Sequence, residues 1–261
     1  MKRAVMRWAR LYWVGTIVQM LVVCAIVAVL RAGHITYPEI LDVLFLIIGG
    51  GSSAIWGIII SIKSKRVDSG LKILFHFFDV RQAAAAYGVT VGFIAIVFAP
   101  QLCSGLVVDG VKWYAFFILF FQSILFGGIE EIGWRYTFGP LLEKKLPFFI
   151  ATMLTFVSWG LWHYMYFYIT NTLPYIQHGS FLVGLLGSSF ILGAIYRLTN
   201  SLWLCVLYHC LLNVFSQTLP ANRLGVVIFC NALCIGLAVV LVELDKQNRM
   251  RKLFIIRKTT V

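Results

Sequence analysis

The chain has 261 residues, 61% of them hydrophobic and only 12% charged, with a mean hydropathy of +0.89. A soluble domain carries roughly 25% charged residues, so a water-soluble globular protein is excluded. The net charge of +12 flanks the apolar stretches instead of forming one basic face, which argues against nucleic acid as a partner and for anionic membrane lipids.

Eight apolar spans follow in chain order, at 11–30, 41–62, 83–99, 113–131, 148–169, 181–196, 202–219 and 226–244. Each approaches the ~20 residues a helix needs to cross ~30 Å of hydrocarbon, the third and sixth being shortest. Without water to satisfy backbone groups these spans are expected to be helices, and strand-like alternation suited to a barrel is scarce. The expected fold is therefore all-α: a polytopic transmembrane bundle of about eight spans in a single integral-membrane domain, 1–261. Residues 1–100 are expected to be mainly scaffold, and 113–217 a catalytic core.

The first span lacks a small-residue cleavage site and reads as a retained helix. Gly49-Gly50-Gly51-Ser52-Ser53 in the second suits close helix packing. The connector at 63–82 is basic and amphipathic, as expected of a segment lying in the membrane interface. Residues 139–147 read as a turn, with Pro147 starting the next helix. With both termini placed in the cytoplasm, 19 of the 22 Lys and Arg residues fall on that side and only Arg31, Lys112 and Arg223 elsewhere, as the positive-inside rule requires. The six cysteines show neither zinc-ligand spacing nor a disulfide framework.

Polar residues inside apolar spans are functional candidates by default. Glu130 and Glu131 stand side by side in the fourth span. Glu131 and Arg135, four apart, share a helix face, so Arg135 is expected to neutralise Glu131. Glu130 is turned about 100° away and left to face the bundle; a carboxyl in apolar surroundings suits a general base. Trp159 lies one turn before His163 and is expected to pack on its ring. His209 and Asn213 share a face and could both donate to one oxygen. His34, His76 and His178 fall in loops or connectors. Two His and two Glu could also hold zinc, but HExxH spacing is missing, so a metal-free, cofactor-free site is expected.

These motifs, in this order, resemble the CAAX-protease and bacteriocin-processing (Abi) family of intramembrane proteases. The family pattern is EExxxR, FxxxH and HxxxN or HxxxD on separate helices. It is matched here by Glu130 to Arg135, by Trp159 to His163 with Trp for the usual Phe, and by His209 to Asn213, over about residues 113–217. The resemblance implies that Glu130 and His163 activate water and that His209 and Asn213 stabilise the oxyanion. Glu131, Arg135 and Trp159 would support them.

The expected function is thus an endopeptidase acting on a membrane-associated or secreted peptide, or on a lipid-anchored protein. The short loops point to a bacterial plasma membrane. The competing readings are a non-enzymatic protein of the same fold (an immunity factor or scaffold) and a proton-coupled transporter. One geometric tension stands. Counted from the span ends, Glu130 and His209 lie about 10 Å from the inner face and His163 about 22 Å, so the fifth span is expected to project, tilt or bend at Gly160.

Overall fold

The computed structural model describes residues 2–247. Arg249, Arg251, Lys252, Arg257 and Lys258, assigned above to the cytoplasmic side, lie outside the described residues. The chain forms helices α1 (Lys2–Ala32), α2 (Glu39–Phe45), α3 (Ser52–Lys63), α4 (Gly70–Phe77), α5 (Ala84–Val97) and α6 (Ala99–Ser104). These are followed by α7 (Ala115–Glu143), α8 (Phe148–Ile169), α9 (His178–Thr199), α10 (Leu202–Thr218) and α11 (Leu224–Lys246). No strand occurs among the described residues. The all-α bundle expected from composition is what forms.

Every expected span is helical. Among the described residues, four helices are long and apolar enough to cross a membrane: α1 from Val5, α7, α9 and α11. The segments Ile40–Gly50 and Ser52–Lys63, bent by 41° at their junction, make a fifth if taken as one span. The bend has a local cause, a π-turn over Leu46–Gly50 followed by Gly51, since irregular hydrogen bonding beside glycine kinks helices. α5 has 14 residues and α10 has 17, about 21 and 26 Å at 1.5 Å per residue. Large apolar side chains on the outer faces of α1 (Val18, Leu21, Val22, Val29), α7 (Phe117, Phe121, Leu125) and α11 (Phe229, Leu233, Val240) are exposed. On an integral membrane protein these are the surfaces that meet lipid.

Two sequence boundaries are corrected. The fourth span does not end at residue 131: α7 continues to Glu143. The turn expected over 139–147 shrinks to 144–147, with Pro140 inside the last helical turn and Pro147 capping α8. Apolar periodicity misses this continuation because α7 contains two π-turns, Ile124–Gly128 and Trp134–Phe138, which break the 3.6-residue repeat.

Polar contacts tie the ends of the bundle. At one end Arg66 lies 4.4 Å over the Tyr136 ring and bonds the Tyr196 hydroxyl, while Arg197 pairs with Glu143 at 2.5 Å. These bonds join the last turns of α7 and α9 to the segment after α3. At the other end Arg31 donates to the carbonyls of Tyr168 and Ile169, 2.7 and 2.9 Å. It thereby caps α8 with a cation where the helix dipole favours one.

The inner helices meet through glycine. A Cβ on Gly57 would lie 2.8 Å from the Ile132 carbonyl oxygen and 2.9 Å from Gly133 Cα, and one on Gly133 would overlap the Tyr12 hydroxyl and the Ser53 carbonyl. α3 and α7 are thus in near-backbone contact next to Glu130 and Glu131, with the Tyr12 side chain of α1 reaching the same glycine. Gly49 and Gly50, against Ile169 and Tyr166 of α8, serve the packing role expected of that run. Gly133→Ala should lower the unfolding free energy by roughly 1–3 kcal/mol, the usual cost of overpacking, measured by unfolding in detergent. Gly88→Ala, where a Cβ would touch nothing within 4 Å, should leave it unchanged or slightly higher.

Candidate active site

Glu130–Gly133 is a single α-turn held between the two π-turns of α7. π-turns re-aim the side chains that follow them and are frequent at functional sites. Here they leave both acids inward, Glu130 4% and Glu131 0% exposed. A buried carboxylate must find partners or cost several kcal/mol.

Glu130 finds Trp159. The indole Nε1–H donates to its carboxylate at 2.8 Å. Glu131 is held from two sides: His209 Nδ1 lies 2.6 Å from its Oε1, and Arg135 approaches at 3.4–3.5 Å. Arg135 is therefore not the sole counter-ion that i,i+4 spacing suggests. Its guanidinium carbon lies over Trp159, 3.8 Å from a ring centroid, within cation–π range. The closer contact with Glu131 falls to the imidazole.

The histidines are oriented by their partners. His163 Nδ1 is 2.9 Å from the carbonyl of Trp159. A carbonyl only accepts, so Nδ1 carries the proton and the neutral ring keeps its lone pair on Nε2. Aromatic rings surround it: Trp159 and Trp162 at 5.0 Å, Phe181 at 5.3 Å and Phe167 at 5.8 Å. His209 donates Nδ1–H to Glu131 and has its ring 5.7 Å from Trp159. Asn213 is half-buried one turn further along α10. Its Nδ2 and His209 Nε2 lie 2.5 and 3.0 Å from where a Cβ on Gly127 would stand, so both nitrogens face one point on α7.

The predicted residues are thus gathered, with Trp159 at the centre: it touches Glu130, Arg135, His163 and His209. Asn213 joins through its shared point with His209. The corrected boundary removes the depth conflict for Glu130, whereas His209, 7 residues into α10 or about 10 Å, reaches the site through its bond to Glu131. Glu130 is 13 residues from the end of α7 and His163 is 15 from the start of α8, about 20 and 22 Å. No bend at Gly160 is needed, and α8 runs unbroken.

Three features escape the motifs. The first is the indole N–H of Trp159, invisible if Trp is treated as a substitute Phe. The second is the Glu131–His209 pair, a tertiary choice. The third is Gly127-Gly128, whose place in an apolar helix just before paired acids is the one available signal. Among the described residues, no three His, Cys, Asp or Glu side chains are grouped to hold a metal ion.

Residues 112–215 match the protein-family model described as Type II CAAX prenyl endopeptidase Rce1-like. The stretch encloses all three motifs and agrees with the resemblance they carry; the matched family is one of CAAX-type proteases. No curated protein matches the chain significantly.

Removing Arg135 strips one cation from a buried carboxylate and the stacking from Trp159. Arg135→Ala should destabilise the protein by about 3 kcal/mol, seen as a lowered unfolding midpoint in detergent.

Proposed function

We propose that the protein is an intramembrane endopeptidase that hydrolyses a peptide bond with water activated by Glu130 and His163. The observation that carries the reading is the grouping around Trp159 of a buried acid, a histidine with a free Nε2 lone pair and a second histidine backed by a carboxylate. Water held between Glu130 and His163 Nε2 loses its proton to one of them as its oxygen attacks the scissile carbonyl. The developing oxyanion is met by Asn213 Nδ2–H and, with His209 as imidazolium, by Nε2–H. Glu131 is then the counter-ion behind that ring, and it fixes which nitrogen faces the site, as a carboxylate does in a Ser-His-Asp triad. The proton passes to the departing amine as the C–N bond breaks.

The family description supports a prenylated CAAX peptide as the substrate class, presented from the membrane. A bacterial plasma membrane is the proposed location. Low charge, short connections and a site deep among apolar helices suit a substrate that arrives through lipid. A non-enzymatic relative would keep the bundle and need neither the His163 lone pair nor the donors facing Gly127.

With purified protein in liposomes and a quenched farnesylated CAAX peptide, Glu130→Ala should abolish cleavage while insertion and unfolding midpoint stay near the parent's; His209→Ala should abolish it too, with insertion intact but a lowered midpoint, because it leaves buried Glu131 without its nearest partner. A Glu130→Ala variant that cuts at the parent rate would overturn the mechanism. Trp159→Phe keeps the ring but removes the donor to Glu130. A hydrogen bond to a charged group is worth about 1.5–3 kcal/mol, so kcat should fall by roughly ten- to a hundredfold, read from initial rates at saturating peptide.

A further inference from the structure

Buried donors without partners gather between Glu131 and the end of α7. Among the described residues, Trp134 Nε1, Arg135 Nη2 and Ser189 Oγ make no hydrogen bond, and these residues are 0%, 2% and 2% exposed. All three line one cavity of about 20 Å³ between α7, α8 and α9. Thr152 and Thr155 of α8 line it too. Thr155 gives its hydrogen to the Ala151 carbonyl at 2.9 Å, which leaves the lone pairs of its oxygen to accept. A polar cavity of more than about 10–15 Å³ can hold a water molecule when two to four partners surround it. Close helix packing would account for the small residues Gly139 and Gly193 in the same lining. It would not account for a guanidinium, an indole N–H and three hydroxyls.

This cavity adjoins another. A larger one of about 260 Å³ is lined by Lys144, Arg197 and Asn200 and shares Pro140, Glu143 and Tyr196 with the first. Glu143, on the shared wall, pairs with Arg197 at 2.5 Å, and the two side chains keep partial exposure, 19% and 28%. From there the lining runs inward one helical turn at a time, through Tyr196, Gly193 and Ser189 on α9 and through Thr152 and Thr155 on α8. Thr155 is one turn before Trp159. Arg135 stands at the inner end. Its guanidinium carbon lies over Trp159, whose indole bonds Glu130. Its contacts with Glu131 are 3.4–3.5 Å, longer than the roughly 2.7–2.9 Å of a tight charged pair. A long side chain held this loosely makes a movable partition.

We infer that these two chambers are the inlet for the hydrolytic water: the outer one fills from the cytoplasm, and the inner one holds a water molecule against Arg135, Ser189 and Trp134 before it passes to Glu130. The inference rests on the hydrolase reading above and adds the route of its second substrate. One water is consumed for each peptide bond broken, and the hydrocarbon through which the peptide arrives carries next to none. Peptide and water therefore come from different directions. The water comes from the end of the bundle that bears Lys144, Lys145 and Arg197, the cytoplasmic one by the positive-inside rule.

The test uses the full-length protein in liposomes. Radiolytic hydroxyl labelling read by mass spectrometry should oxidise Trp134, despite its burial, well above Trp162, which is 1% exposed and has its indole bonded to Ser52. Ser189→Val puts methyl groups into the inner chamber. It should cut the Trp134 label at least about fivefold, since the water loses its room and a partner. It should also lower kcat toward the farnesylated CAAX peptide by about tenfold or more, with KM within about twofold and the unfolding midpoint near the parent's. If that variant assembles poorly, Thr152→Val, alike in shape but without the hydroxyl, should lower label and kcat by about threefold each. Thr90→Val makes the same exchange at a buried position on α5 and should change neither. A Trp134 label no greater than that on Trp162, in a parent that cleaves and a Glu130→Ala variant that does not, would overturn the inlet and leave the hydrolase standing. Variants that lose the label yet cleave at the parent rate, or a fall in kcat that only tracks the folded fraction, would overturn it equally. A parent inert toward the peptide, or unimpaired cleavage by Glu130→Ala, would remove the hydrolase reading and the water's role with it.

Discussion

A carboxylate in the middle of a lipid-embedded bundle is tolerable only in company, and this molecule is arranged around supplying that company. Glu131 is fully buried and held between His209 and Arg135. Glu130, next to it, receives only the indole N–H of Trp159. The asymmetry divides the labour of two chemically identical residues. One is committed to neighbours and gives rigidity; the other keeps capacity to accept a proton. Breaking such a buried pair from one side costs far more than the pair contributes over apolar replacements, so the network specifies geometry more than it adds stability.

That arrangement depends on close approach elsewhere. Gly57 against Gly133 brings α3 onto α7 beneath the acids, and Gly128 against Val206 brings α10 onto it above them. The helices thus approach closely on either side of the polar residues, and the buried Trp159 packs among them. Outward from this centre the residues become large and apolar, as lipid contact demands. The charged ties, Arg31 at one end and Arg66 and Arg197 at the other, lie at or just beyond the ends of helices.

Much of this was legible in the sequence. Apolar block length gave the helices because lipid leaves the backbone few alternatives, and the spacings of Glu131 to Arg135, Trp159 to His163 and His209 to Asn213 placed each pair on one face. What could not be read depends on irregular turns or on tertiary choice. The π-turns at 124–128 and 134–138 break the repeat on which span ends are judged, so α7 seemed to stop twelve residues early and Glu130 seemed too shallow to reach His163. Glu131 had a correct helical partner in Arg135, but local spacing knows nothing of an imidazole arriving from α10. The Phe-like reading of Trp159 kept its shape and lost its N–H.

Trp159 acts on Glu130 and His163, the two halves of the proposed water site, by different means. Its side chain restrains Glu130, while its main-chain oxygen selects the tautomer of His163. The first contribution is written in the codon and vanishes with the indole. The second comes from the peptide unit, which every amino acid carries, so point mutation at 159 leaves it in place as long as α8 stays helical. The placing of the imidazole's lone pair on Nε2 is in this sense heritable without being encoded at any single position, and only a change in the helix itself, such as a proline or a deletion, can take it away.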